Sequence, residues 1–170
     1  TSLSYNIYLN IEGISDQGPG ASSEESIGQM AKLEHVEDIT VLALSWGMYI
    51  PTDRLSGQIT GNRRHEHLTI TKLLDVSSPP LAQHLTNPLP LECTFEFYRP
   101  GDIEATEDPE AFYTIILEGA KVTKIQVNSP NLLLPENDHL PATEEVTFAY
   151  NKVSVEHSQG GEFEDHWTGE

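Results

Sequence analysis

The residues of this chain able to hold a metal, polarise a bond or act as a nucleophile are few, and their spacing decides what each can do. His65-Glu66-His67 places two imidazoles on one face of a strand, half of a tetrahedral zinc set that His35 or His84 would have to complete. No third ligand stands at a recurrent spacing, so a solvated loop end is the simpler reading. Glu104, Glu107, Asp108 and Glu110 offer oxygens to a hard cation but lack the spacing of a calcium loop, which leaves a charged turn. The single cysteine, Cys93, lies on the apolar side of the alternating run Leu91, Cys93, Phe95, Phe97 with no activating neighbour, the setting of a buried, inert thiol. Serine and histidine both occur, yet there is no Gly-x-Ser-x-Gly elbow, and 27 acidic residues allow too many carboxylate pairs for any one to signal general acid chemistry. The remaining charged constellation is basic: Arg54, Arg63 and Arg64, with Lys72 beyond them. Such a cluster can hold an acidic patch on an identical neighbour through charge-assisted hydrogen bonds, and ordinary solvation explains it as well.

That basic cluster stands out because the rest of the chain is acidic. Nine Lys plus Arg against 27 Asp plus Glu give a net charge of −18 over 170 residues. A surface of this sign repels phosphate and anionic lipid, which argues against nucleic-acid and membrane-surface partners. Hydrophobic residues make up 37% and charged ones 21%, enough for one core in a chain of this length. One cysteine forms no internal disulfide, so packing must hold the fold. No apolar run is long enough to span a bilayer, and the alternating start TSLSYNIYLNIEG lacks the basic and apolar regions of a signal peptide.

The elements that must position these residues are mainly strands. Leu3, Tyr5, Ile7, Leu9 and Ile11 alternate with polar residues, the period of a strand with one buried face. A Gly, Pro and Ser cluster follows and reads as a surface loop up to about residue 29. In residues 39–50 both parities are apolar: Ile39, Val41 and Ala43 on one, Leu42, Leu44, Trp46, Met48 and Ile50 on the other. Such a run is either a central strand covered on both sides or a strand with one face, that of Leu42, Leu44, Trp46 and Met48, buried by another subunit. After it comes a long polar loop carrying Tyr49, Ile50, Pro51, Thr52, Asp53, Arg54 and Leu55, then Arg63 and Arg64, before alternation resumes at His67–Leu74.

Pro79 and Pro80 fit the first turn of a helix over about 78–87, Ser77 or Ser78 is placed to cap it, and Leu81, Ala82 and Leu85 share its apolar face. Asn87-Pro88 ends it. Three further strand signals follow, at Leu91–Phe97, at residues 112–127 and from Val146. Parity slips at Gly119 and at Asn151-Lys152 suit a bulge and strands that bend round a barrel. Sequential strands without helical crossovers are mostly antiparallel. The expected fold is therefore mainly β, an antiparallel β-barrel of two packed sheets with one short flanking helix. One domain spans 1–158, and an acidic, mobile tail spans 159–170, with Phe163 and Trp167 able to dock.

Taken as a set, YNIYLNIEG, HVEDITVLALSWG, SGQITGNRRHEHLTITKLLD, SSPPLAQHL, TFEFYRP, FYTIILEGAKV, EEVTFAYNKVSVEH and the terminal EDHW resemble, in order and spacing, the Hcp (hemolysin-coregulated protein) family of bacterial type VI secretion systems. The resemblance covers nearly the whole chain. It implies a compact antiparallel barrel that assembles with itself into hexameric rings, stacked into the inner tube of a contractile injection machine. The lumen would carry or protect effector proteins, and the spike protein and contractile sheath would be further partners. It also implies no enzymatic activity, no cofactor and no membrane insertion. Localisation would be the bacterial cytoplasm before firing, with delivery outside or into a target cell afterwards. The extended loop after SWG, Gly47 to Arg64 here, would reach the adjacent ring. A second reading, independent of the resemblance, is a monomeric barrel that binds a small ligand or metal through His65–His67.

Overall fold

The computed structural model describes residues 5–100 and 110–168. Ten strands form among these residues: β1 (Asn6–Asn10), β2 (Ile39–Ser45), β3 (Met48–Tyr49), β4 (Arg64–His65), β5 (Leu68–Leu73), β6 (Leu91–Tyr98), β7 (Tyr113–Asn128), β8 (Thr143–Ala149), β9 (Lys152–His157) and β10 (Glu162–His166). Helix α1 (Glu24–Ile27) is a single turn, and α2 (Ser78–Thr86) is the flanking helix expected at 78–87. Leu3, most of the acidic segment with Glu104, Glu107 and Asp108, and the last two residues lie outside the described residues.

All strand pairings are antiparallel, and the main sheet runs β10-β9-β7-β6-β1-β2-β5-β8. β8 also pairs with β7, which closes β1, β2, β5, β8, β7 and β6 into a barrel and removes the edges an open sheet would leave. The long β7 makes closure possible. Its first half pairs with β9 and its second half with β8, so β8 and β9 form one bent partner along the same edge.

The bend has a local cause. β7 carries an extra residue between Leu117 and Ala120, opposite Cys93 and Leu91, and Gly119 takes φ +63 there. Opposite it the chain kinks at Asn151, and a Cβ placed on Gly119 would lie 2.8 Å from Asn151 Cγ. Only glycine fits both the positive φ and the close approach. The parity slips at Gly119 and Asn151 are thus the two sides of one corner. A second irregularity between Val122 and Lys124 turns Ile125 back toward the core.

Inside the barrel Leu9, Ile39, Leu68, Ile70, Phe95, Leu117, Val146, Phe148 and Val153 are fully buried. Cys93 joins them, and burial pushes its thiol well above the ordinary range, so it is unreactive. Lys72 is the polar exception. Its Nζ is wholly buried, paired with Glu144, 3.0 Å from Asp75 Oδ1 and 3.1 Å from Ser78 Oγ, and so ties the start of α2 to β5 and β8. Ser78 Oγ also donates to Glu144 Oε1 at 2.6 Å. Neither Ser77 nor Ser78 caps the helix as expected. Asp75 instead accepts the Ser77 N–H at 2.9 Å, because Ser78 is drawn to the buried ion pair. Leu81 is buried and Leu85 packs on the core, which docks the helix as its apolar spacing requires.

The Gly, Pro and Ser segment differs from the surface loop expected of it. Ile14 and Ala21 join the core cluster and Ser22 and Ser23 are buried, while further along the chain the His35 ring stacks on Tyr8 of β1 at 3.9 Å. Ser22 donates its backbone N–H to Val36 at 3.0 Å and its hydroxyl contacts Thr40 at 2.7 Å, so polar residues bury here with their bonds satisfied.

Candidate assembly surface

Beyond Ser45 the chain leaves the barrel as a narrow two-stranded arm and returns at Leu68. Met48 pairs with His65 and Tyr49 with Arg64, Glu66 donates its N–H to Gly47 at 3.0 Å, and an isolated bridge joins Thr52 to Ile59 further out. The tip is a hydrogen-bonded turn. Asp53 donates to Gln58 O and accepts from Gly57 N, both at 2.8 Å, while its Oδ1 accepts the Leu55 N–H at 2.8 Å. Gly57, at φ +74, supplies the left-handed residue the turn needs. Thr60 N–H closes on Pro51 O at 2.9 Å. The arm is therefore an ordered projection. Leu55 is 99% exposed, Ile59 66%, and Tyr49 and Ile50 about half.

The tail anchors the base of this arm. Residues 162–166, placed by sequence in a mobile tail, form β10, because the turn at Gly160-Gly161, both at positive φ, folds them back onto β9 in register. Asp165 then accepts two hydrogen bonds from the Arg63 guanidinium, one at 2.6 Å, and lies 2.8 Å from His65 Nε2. The Arg63 hydrogen bond, with that of His65, depresses the Asp165 carboxyl to about 2. His65 Nδ1 sits 3.0 Å from Tyr150 Oη, which also receives the Trp46 indole N–H at 2.7 Å and donates to Glu66 O at 3.1 Å. Trp167 stacks on His65 and meets Tyr150 edge-on, its ring centroid 4.8 Å away. Trp167 docks as its type suggests, whereas Phe163 stays exposed.

These contacts reassign several residues singled out from sequence. Both ring nitrogens of His65 are engaged, His35 bonds Asp38 and His84 lies on α2, so the four histidines do not converge. Among the described residues no group of three or more His, Cys, Asp or Glu is arranged to hold a metal ion. Arg63 is spent on its own chain's tail, while Arg54 and Arg64 remain exposed on the arm with Tyr49, Ile50, Thr52, Asp53 and Leu55; Pro51 is half-buried against Gly61.

Of the suspected subunit-facing residues, Leu44 and Trp46 pack on the core of their own barrel and Met48 is half-buried on the arm. Leu42 is 43% exposed. The cause is a bulge: Val41 pairs with Lys72 but Ala43 with Thr71, so one extra residue flips the parity and Leu44 takes over the inward side from Val41. The run that looked apolar on two faces is mostly one face with a slip at Leu42. Leu42 borders an open cleft with Tyr5, Met30 and Lys32. Sequence reasoning passed over Ile59, although its place between two glycines in a polar loop marked it, and Asp165, one of many acids.

The described residues thus form a closed barrel with an ordered projecting arm whose base is strapped by the C-terminal strand. Residues 8–157 match the family model described as type VI secretion system effector, Hcp, and the chain belongs to the Hcp family. It is 34% identical over 158 residues to the major exported protein of Pseudomonas aeruginosa, covering 91% of this chain and 90% of that one. A crystal structure of an Hcp protein superposes with a TM-score of 0.84 at 32% identity, covering 96% of this chain and 98% of the other. The secreted protein Hcp3 from Pseudomonas aeruginosa shares the fold, with a TM-score of 0.71 at 24% identity over 96% of this chain and 99% of that one. The Hcp family is one of structural, secreted proteins rather than enzymes. No helix of the described residues is long and apolar enough to cross a membrane.

Proposed function

We propose that this chain is a tube subunit of a type VI secretion system: copies associate into hexameric rings, rings stack into an inner tube, and contraction of the surrounding sheath expels that tube with its spike. The lumen carries or shields effector proteins, and the chain itself leaves the bacterial cytoplasm by this route. Work of this kind needs no cofactor. The observation that carries the reading is the arm of residues 47–66, whose polar tip holds Leu55 and Ile59 out to solvent while its base is held by Asp165, Tyr150 and Trp167. An ordered projection that displays Tyr49, Ile50, Leu55 and Ile59 offers apolar side chains for a partner to cover. Leu42 and its cleft are suited to the lateral contact within a ring, where a heterologous interface joins two different faces of one subunit.

Electron micrographs of the purified protein test this. Rings with a central opening, stacking end to end at high concentration, are expected. Arg54→Glu, which leaves the barrel untouched, should lose the stacks and keep the rings, because it removes a cation from the arm in a protein that otherwise repels itself. Isolated compact particles at every concentration would overturn the reading.

A further inference from the structure

Donors and acceptors around His65 fall into two arrangements, one for each protonation state of its ring, and the two hold the base of the arm differently. The His65 side chain is wholly buried, with Nε2 2.8 Å from Asp165 Oδ2 and Nδ1 3.0 Å from Tyr150 Oη. Asp165, its carboxyl held down to about 2, only accepts, so Nε2 carries a proton in either arrangement. Tyr150, its hydroxyl pushed up to about 12 chiefly by burial, stays neutral and has one proton to give. One lone pair of its oxygen receives the Trp46 indole N–H at 2.7 Å, and two acceptors lie within reach of its proton, Glu66 O at 3.1 Å and His65 Nδ1. A neutral imidazole leaves Nδ1 bare to take that proton, and Glu66 O loses it. An imidazolium presents Nδ1–H to the second lone pair, which sends the hydroxyl proton to Glu66 O and satisfies every group. Glu66 N–H in turn holds Gly47 O at 3.0 Å, where the arm leaves the barrel.

We infer that His65 is a proton-binding site that fastens the root of the arm: uptake of a proton at Nδ1 turns the Tyr150 hydroxyl to the Glu66 carbonyl, and its loss turns the hydroxyl back to the ring. One proton passes between solvent and Nδ1, and one O–H turns about its C–O bond; nothing is oxidised or reduced. Imidazole is the side chain that ordinarily makes this exchange between about pH 5 and 8. The charged and titratable groups about the ring are Asp165 on β10, Tyr150 at the corner between β8 and β9, and Arg63 and Glu66 on its own stretch. β2 contributes the Trp46 indole, and Trp167 touches the rings of both His65 and His67. With the proton bound, one unbroken chain of hydrogen bonds runs from Asp165 through His65 and Tyr150 to Glu66. Without it the chain is cut at Glu66. The device lies within one subunit and needs no second copy, so it stands apart from the tube reading.

Nitrogen NMR of the full chain labelled at histidine, read together with amide hydrogen exchange, tests this. At about pH 8 His65 should carry a proton at Nε2 alone, and at about pH 5 at both nitrogens. Once corrected for the intrinsic effect of pH, the Glu66 amide should exchange on the order of five-fold more slowly on the acid side, the worth of one hydrogen bond. Tyr150→Phe keeps the aromatic ring but removes the relay, and should flatten that difference. His65→Gln should do the same, which separates His65 from the other histidines. A His65 ring in one protonation state at both pH values, equal exchange at both in the natural chain, or a difference that survives either substitution would overturn the inference. The two readouts on the natural chain decide it should a substitution unfold the protein.

Discussion

Asp165 of the last strand lies 2.8 Å from His65 at the root of the arm, so residues separated by 100 positions hold the projection onto the barrel. The same carboxylate takes two bonds from Arg63 and is half of the chain's bidentate clamp on the arm. Loosening it should disturb the arm before it disturbs the core.

The pH dependence of this clamp follows from the Asp165 carboxyl, held down to about 2 against an ordinary value near 3.8. A depressed carboxylate stabilises the fold fully above its unfolded value and ceases to do so as pH falls through its folded value. Solvent screening at this part-exposed site leaves about 1 kcal/mol. Asp165→Asn should therefore be about 1 kcal/mol less stable than the natural chain in urea at pH 7, with the gap closing between about pH 4 and 2. A gap that stays constant down to the acid end contradicts this assignment.

Lys72 is fully buried between Asp75 and Glu144. Lys72→Met leaves two buried carboxylates without a cation and should cost about 3–5 kcal/mol. Adding Glu144→Leu should recover part of the loss, since it removes one of the two stranded carboxylates and leaves that of Asp75. Chemical denaturation of both variants decides it. A loss below about 1 kcal/mol in Lys72→Met would mean that the ion pair does not hold α2 to the barrel.

At the barrel corner, Gly119→Ala meets both a positive φ and the Asn151 side chain. The backbone alone makes this about 1–2 kcal/mol unfavourable, and the overlap adds to it. Combining it with Asn151→Ala should return the overlap part but not the backbone part, a coupling that a double-mutant cycle on thermal melts reads directly. Additive losses would show that the two residues do not share the corner.

The barrel was legible where alternation was unbroken, as at Ile7 and Leu9 or at Leu91 to Phe97, and where a glycine stood at a change of parity, as at Gly119. It was misleading at residues 39–50, because a bulge at Leu42 has no glycine to announce it and makes one apolar face resemble two. The helix was visible in its prolines and leucine spacing. Its anchorage was not, because Lys72 and Glu144 belong to strands whose partners are set by the tertiary fold alone. The arm's residues stood out by charge and by the length of the loop. The tail's grip on them did not, since the clamp joins Arg63 and His65 to Asp165 across most of the chain. A polar, glycine-rich ending such as SQGGEFEDHW looks mobile until its strand partner is known.

The most direct test of the central claim is the native mass of the purified protein across a concentration series. Six chains of 18.9 kDa predict a species near 113 kDa, with larger multiples of it as concentration rises. A single species of 18.9 kDa at every concentration would contradict the account.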